Sequence, residues 1–255
     1  MTQDTQDVGD ELGRVAGGDT SADAIGRLTK VLAQSAKTAG AVAVASGRWL
    51  AELLVDTAPR IPIRDKATLE AHHGGLQGAA LAADLITSAS RTSAGVGAAA
   101  GVLVSAEQFA PPAWVAIPLE IVVETLAIAA VEMKLVAELH VAYDRPVPGS
   151  PSERSTAIVM AWAERRGVTP AVLTRRGGLS DALGRGTRNE LIRLVRRRVV
   201  ARMGRNLSTL APLFIGAAAG AEVNRRATRS LGEAVVRDLA SGRNRPTVTR
   251  CSACT

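Results

Sequence analysis

Residues 113–143, AWVAIPLEIVVETLAIAAVEMKLVAELHVAY, decide the fold. After the break at Pro111-Pro112 the run reads as one long helix to about Tyr143, apolar over nearly its whole circumference instead of along one face. Such a helix needs other helices around it. At about 100° per residue, Glu124, Lys134 and Glu138 all fall within about 40° of Glu120, so the four line one narrow stripe. The rest of the circumference is almost wholly apolar except Glu132 and His140.

The rest of the chain fits an all-helical setting. Of the 255 residues 47% are hydrophobic, yet Phe, Trp and Tyr together make 2%, and the mean hydropathy is +0.12. Strands favour aromatic and β-branched residues whereas Ala is the best helix former, so this Ala-rich, aromatic-poor chain predicts an all-α fold, a multi-helix bundle. It also lacks the rings on which single-stranded nucleic acid stacks. Collagen-like, disulfide-rich and wholly disordered classes are excluded by the same composition.

The net charge of +7 conceals two opposed halves. Residues 1–144 carry 10 basic and 17 acidic side chains, and residues 145–255 carry 21 and 7. Two such halves attract one another or present opposite faces. Of the 31 basic residues 27 are Arg, which in so Ala-rich a chain fits GC-rich coding as well as it fits an anionic partner.

Residues 1–19 are acidic and polar and read as a disordered tail; they hold no apolar signal core, which points to a cytoplasmic protein. A helical domain spans 20–242. Thr20 or Ser21 caps a helix that runs toward Asp56 with a break near Gly40, and Pro59 and Pro62 enforce an extended connection. Asp65 caps a helix bearing Leu69, Leu76, Leu81, Leu85 and Ile86 that ends near Ser90. DRPVPGSPS at 144–152 is a loop where the charge changes sign, and a domain boundary is possible there. Ser152 caps a helix to Arg166, Thr169-Pro170 starts a short one, a basic helix covers about 187–205, and the last runs from about Ser208 to Ala240. Residues 243–255 form a second disordered tail.

Two uncharged stretches, Thr92–Ala106 and Asn206–Ala221, fall short of the ~20 residues a membrane span needs. Their Gly, Ala and Ser content suits helices whose backbones approach closely. Either they pack tightly in a soluble core, or they form an apolar small-residue helical hairpin that docks on a bilayer. In NELIRLVRRRVVARMGRNL, residues 189–207, Arg193, Arg196 and Arg197 share one side and Ile192, Val195, Val199 and Met203 another. This basic amphipathic helix is either a solvated bundle face or a candidate lipid-facing surface, since Arg clusters are drawn to anionic lipid. Without base-reading residues or helix-turn-helix spacing, nucleic acid ranks last among its partners.

Paired carboxylates one turn apart, Glu120 and Glu124, suit cation binding or acid–base work, although neither is followed three residues later by the His of a di-metal bundle. The plainer alternative is neutralisation by Arg, with Lys134 and Glu138 as an ordinary i,i+4 pair. His72 and His73 are adjacent and point about 100° apart, so they do not grip one ion. Cys251-Ser-Ala-Cys254 has no second pair and belongs to the tail. No phosphate-binding loop, dinucleotide fingerprint, nucleophile elbow or HExxH motif is present, so the sequence calls for no cofactor, no metal and no catalytic residue. In the last helix Gly216 and Gly220 form GxxxG, and the positions 213, 217, 220, 224, 227 and 231 make a small-residue seam with Asn224 in its middle. A buried Asn there is expected to hydrogen-bond across helices and fix their register.

That last helix, FIGAAAGAEVNRRATRSLGEAVVRDL at 214–239, resembles the C-terminal signature of the EcsC-like family: an apolar Gly/Ala start, an Asn, then Arg and Thr, then Leu-Gly. The small-residue stretch, Pro-x5-Pro-Leu-Glu at 112–120 and MKLVAELHVAY at 133–143 are similar to the actinobacterial members of that family, and the resemblance covers roughly 60–245. It implies a partner of an ABC transporter, because the founding member is encoded with a transporter's ATPase and membrane subunits, and it transfers no catalytic residue. The resulting expectation is a non-catalytic accessory protein, cytoplasmic and peripheral on the inner face of a membrane, with anionic lipid or a transporter subunit as partner. The alternatives are a metal-dependent or hydrolase-like enzyme built on Glu120 and Glu124, and a soluble helical scaffold that binds a protein through the Gly216/Gly220 seam. Glu120, Glu124, Lys134, Glu138 and Asn224 form the candidate polar cluster.

Overall fold

The computed structural model describes residues 3–45, 48–107, 119–165 and 213–241. The described residues form helices α1 (Gln3–Ala16), α2 (Ala22–Ala39), α3 (Ala41–Ala45), α4 (Arg48–Thr57), α5 (Lys66–His72), α6 (Gly78–Glu107), α7 (Leu119–Ala142), α8 (Pro151–Arg165) and α9 (Leu213–Ala240), with a 3-10 turn at Ala58–Arg60 and no strand. The all-α bundle expected from composition is what the chain builds.

Helix α7 is its axis and touches α1, α2, α4, α5, α6, α8 and α9. From Val122 to Leu139 every residue except Glu124 is buried, which an all-round apolar surface requires. Helix α6 lies beside it and packs most extensively on α9. The direction follows from three small-residue contacts. A Cβ on Gly97 would lie 2.8 Å from Asn224 and 3.2 Å from the Ala221 backbone, Ser93 bonds Thr228, and a Cβ on Gly232 would lie 2.6 Å from Ile86. As numbers fall on α6 they rise on α9, so the two helices are antiparallel.

Local signals set the starts of α2, α5 and α8 and the end of α2. Ser21 Oγ accepts from Ala24 N–H at 3.2 Å, Asp65 accepts from Thr68 N–H at 2.9 Å, and Gly40, at φ 85°, ends α2 where the sequence predicts a break. The start of α8 differs by two residues. Ser150 and Glu153 form a reciprocal capping box, Ser150 N–H donating to Glu153 Oε2 at 2.7 Å and Glu153 N–H to Ser150 Oγ at 3.4 Å, which leaves Pro151 at the first helical position where its missing N–H costs nothing.

Three readings need correction. Residues 3–16 are not a disordered tail: Val8, Leu12 and Val15, spaced i, i+4, i+7, are fully buried. The acids lie around this stripe, Asp10 pairing with Arg60 at 2.7 Å, Glu11 with Arg14 and with Arg27 at 3.3 Å, and Asp4 accepting from Thr38 at 2.7 Å. Mean polarity hid an amphipathic helix. Second, the segment from Asp65 does not run as one helix to Ser90. Gly74 and Gly75, at φ 66° and 78°, stop it after His72, leave Leu76 39% exposed, and α6 then continues without a break through Thr92–Ala106. Third, the close approach of α9 is not at Gly220, where a Cβ would meet nothing within 4 Å, but at Ala221 and Gly232. Gly216's side, the predicted helices at 169–176 and 187–205, Arg193, Arg196 and Arg197, and the 243–255 tail lie outside the described residues.

Candidate functional site

The polar groups of α7 divide among three places. Lys134 and Glu138, one turn apart, form an ion pair with both side chains buried, and Lys134 Nζ also donates to the Pro62 carbonyl at 3.1 Å. Burial pushes the Lys134 ammonium below its ordinary value, Glu138 pulls it back up, and the Arg64 charge adds to the downward push. The expected i,i+4 pair is therefore present, but inside the protein, fastening the loop after the 3-10 turn to the central helix.

About 15 Å further along the axis, ten residues at 1.5 Å each, Glu124 Oε1 accepts from Asn224 Nδ2 at 2.5 Å. This is the interhelical hydrogen bond expected of Asn224, and its partner is the carboxylate singled out for chemistry. Gly97 lets Asn224 reach it, since any side chain at 97 would collide with the amide. Glu120 is in the first turn of α7 and its side chain lies outside the described residues. Glu124 is thus joined to Asn224 and separated from Lys134 and Glu138; the five candidates do not form one cluster.

Between these two levels is Glu132, fully buried, which the stripe leaves out. Its Oε2 accepts from Trp162 Nε1 of α8 at 2.8 Å, and its Oε1 from Thr228 Oγ1 of α9 at 3.1 Å. Thr228 and Ser93 hydroxyls are 2.8 Å apart and both fully buried. A threonine has one hydroxyl proton, so the consistent arrangement has Ser93 donating to Thr228 and Thr228 to Glu132. The chain of bonds joins α6, α7, α8 and α9 through side chains alone. No family model, curated protein or solved structure matches this chain. The geometry therefore carries the functional reading.

Sequence reasoning passed over Glu132, Thr228 and Trp162. A signal existed: on a helix enclosed on all sides an off-stripe carboxylate is as buried as one on the stripe, and it needs donors. Thr228 was missed because the proposed seam took Ala227, one position away. Elsewhere, His73 Nδ1 is 2.6 Å from Asp84 Oδ2, which ties the turn after α5 to α6. Glu222, at the surface of α9, is pulled down to about 2 by hydrogen bonds from Arg225 and Arg226. Among the described residues no group of three or more His, Cys, Asp or Glu side chains could hold a metal ion, and no helix is long and apolar enough to cross a membrane.

Proposed function

We propose that this chain is a non-catalytic accessory protein that works peripherally at an anionic membrane surface, as a partner of a transporter of the kind the EcsC-like resemblance implies. The observation that carries this reading is the way the core carboxylates are used. Glu124 is held by Asn224, Glu132 by Trp162 and Thr228, and Glu138 by Lys134, so the first two fasten helices together and the third neutralises a buried lysine, where a reactive acid would need access to substrate. The lipid contact is assigned to Arg193, Arg196 and Arg197, with electrostatic attraction to the headgroups and no insertion of the small-residue helices. Burial of α7 argues against insertion, and among the described residues the exposed large apolar ones are Val42 in α3, Ile63 and Leu76 in two separate loops, and Val223 in α9.

The same burial favours a second reading, a scaffold that binds a helical protein and no lipid. Cosedimentation of the full chain with phosphatidylcholine vesicles, with and without phosphatidylglycerol, separates the two. Peripheral binding predicts sedimentation with the anionic vesicles only, weakened by salt and lost when Arg193, Arg196 and Arg197 become Glu. A chain that remains in the supernatant with both vesicle types overturns it in favour of the scaffold.

A further inference from the structure

Glu132 joins two parts of the chain that are far apart in sequence. Trp162 lies near the end of α8 and Thr228 within α9, and in the chain they stand on either side of residues 166–212, which carry Arg193, Arg196 and Arg197. One carboxylate serves both, Oε2 for Trp162 and Oε1 for Thr228. Its sequence neighbours Val131 and Met133 are buried and apolar.

Stability does not account for a carboxylate there. Removing an ion from water is costly, and replacing a buried polar network with apolar side chains of similar volume is often neutral or stabilising. A carboxylate does supply two directed acceptors at a fixed separation, which Leu or Met lacks. Gln supplies only one, because its amide nitrogen would face a second donor.

We propose that Glu132 is a conformational clasp whose two oxygens fix α8 against α9, so that the chain enters and leaves the Arg-rich stretch at set positions, and whose loss releases both helices together. Ser93 extends the clasp to α6 through Thr228. The link to lipid rests on the peripheral-membrane reading; the clasp itself does not.

Hydrogen–deuterium exchange on the full chain tests it. In Glu132→Met, which removes both acceptors at once, exchange at the end of α8 and around Thr228 rises in both places, by about five- to a hundredfold, as expected for loss of a buried bond, while α1 and α2 keep wild-type protection. A rise in only one of the two helices, or in neither, overturns the clasp. Should Glu132→Met not fold, the triple variant Glu132→Met, Trp162→Phe, Thr228→Val restores an apolar fit. With a wild-type Tm it still shows faster exchange in α8 and α9 if the clasp holds them, and unchanged exchange there refutes it. Vesicle binding by the wild type is read separately, so failure of the lipid reading and failure of the clasp give different results.

Discussion

Helix α1 and helix α7 each carry several charges, and they place them on opposite sides of the protein surface. In α1 the buried face is Val8, Leu12 and Val15; Asp4 and Asp10 meet Thr38 and Arg60 at the rim, where water shares the work, and Glu11, though buried, meets Arg14 and Arg27, whose side chains reach solvent. In α7 nearly the whole circumference is buried, so Glu132, Lys134 and Glu138 have gone in with it and depend on protein partners. A charge at the rim can lose its partner and hydrate; Glu132, Lys134 and Glu138 cannot. The difference predicts that similar substitutions have very different costs in the two helices.

The largest effect is expected at Lys134. Lys134→Met leaves Glu138 buried without its cation and should cost about 3–5 kcal/mol, whereas Lys134→Met with Glu138→Leu should return to within ~1 kcal/mol of wild type or exceed it. Urea denaturation measures both. Equal losses in the single and double variants would mean that packing of the lysine stem, not charge, dominates the site.

Next is Leu12→Ala, expected to lose about 2–4 kcal/mol because it empties a fully buried position. A loss under ~0.5 kcal/mol would return α1 to the status of a tail. Gly97→Ala should cost about 1–3 kcal/mol by forcing α6 away from Asn224 and the Ala221 backbone, and Gly220→Ala, facing open space, should be neutral or stabilising.

The rim charges come last. Asp10→Asn, which breaks the pair with Arg60, should cost less than about 1 kcal/mol and nothing measurable in 1 M salt. A salt-independent loss would place Asp10 in the same class as Lys134. The pH dependence separates the classes again. Lys134 is held below its ordinary 10.5 in the folded protein, so the unfolded chain binds more protons across that interval and stability should rise with pH through it. That rise should disappear in the Lys134→Met, Glu138→Leu variant. Glu222, lowered from 4.5 to about 2, adds stability above 4.5 that is lost as pH falls toward 2, and Glu222→Gln should flatten that acid limb by a small amount, since solvent screens a partly exposed site.

Much of the fold was legible because it rests on local chemistry. Ala content, Asp65 and Ser21 as caps, Gly40 as a stop and the all-round apolar run at 113–143 each act within a few residues of chain, and each appears where expected among the described residues. The errors have a common cause. The α1 stripe of Val8, Leu12 and Val15 was outweighed by averaging over its acids, and the seam on α9 was read one residue off at Ala227. Angles along one helix also could not say which neighbour stands at each level, so the polar candidates on α7 and α9 read as one cluster although Glu124 with Asn224 and Lys134 with Glu138 lie in separate places.

The sequence by itself determined that α7 is central and that Asn224 bonds across helices, because burial of an apolar cylinder and satisfaction of buried polar groups follow from residue type and spacing. Only the tertiary structure decided the partners: Glu124 for Asn224, Pro62 and Glu138 for Lys134, Trp162 and Thr228 for Glu132. Those pairs join residues from 30 to 100 positions apart, apart from Lys134 with its near neighbour Glu138. They depend on how α6, α8 and α9 are set around α7, a relation that small residues such as Gly97 and Gly232 permit and that no local pattern encodes.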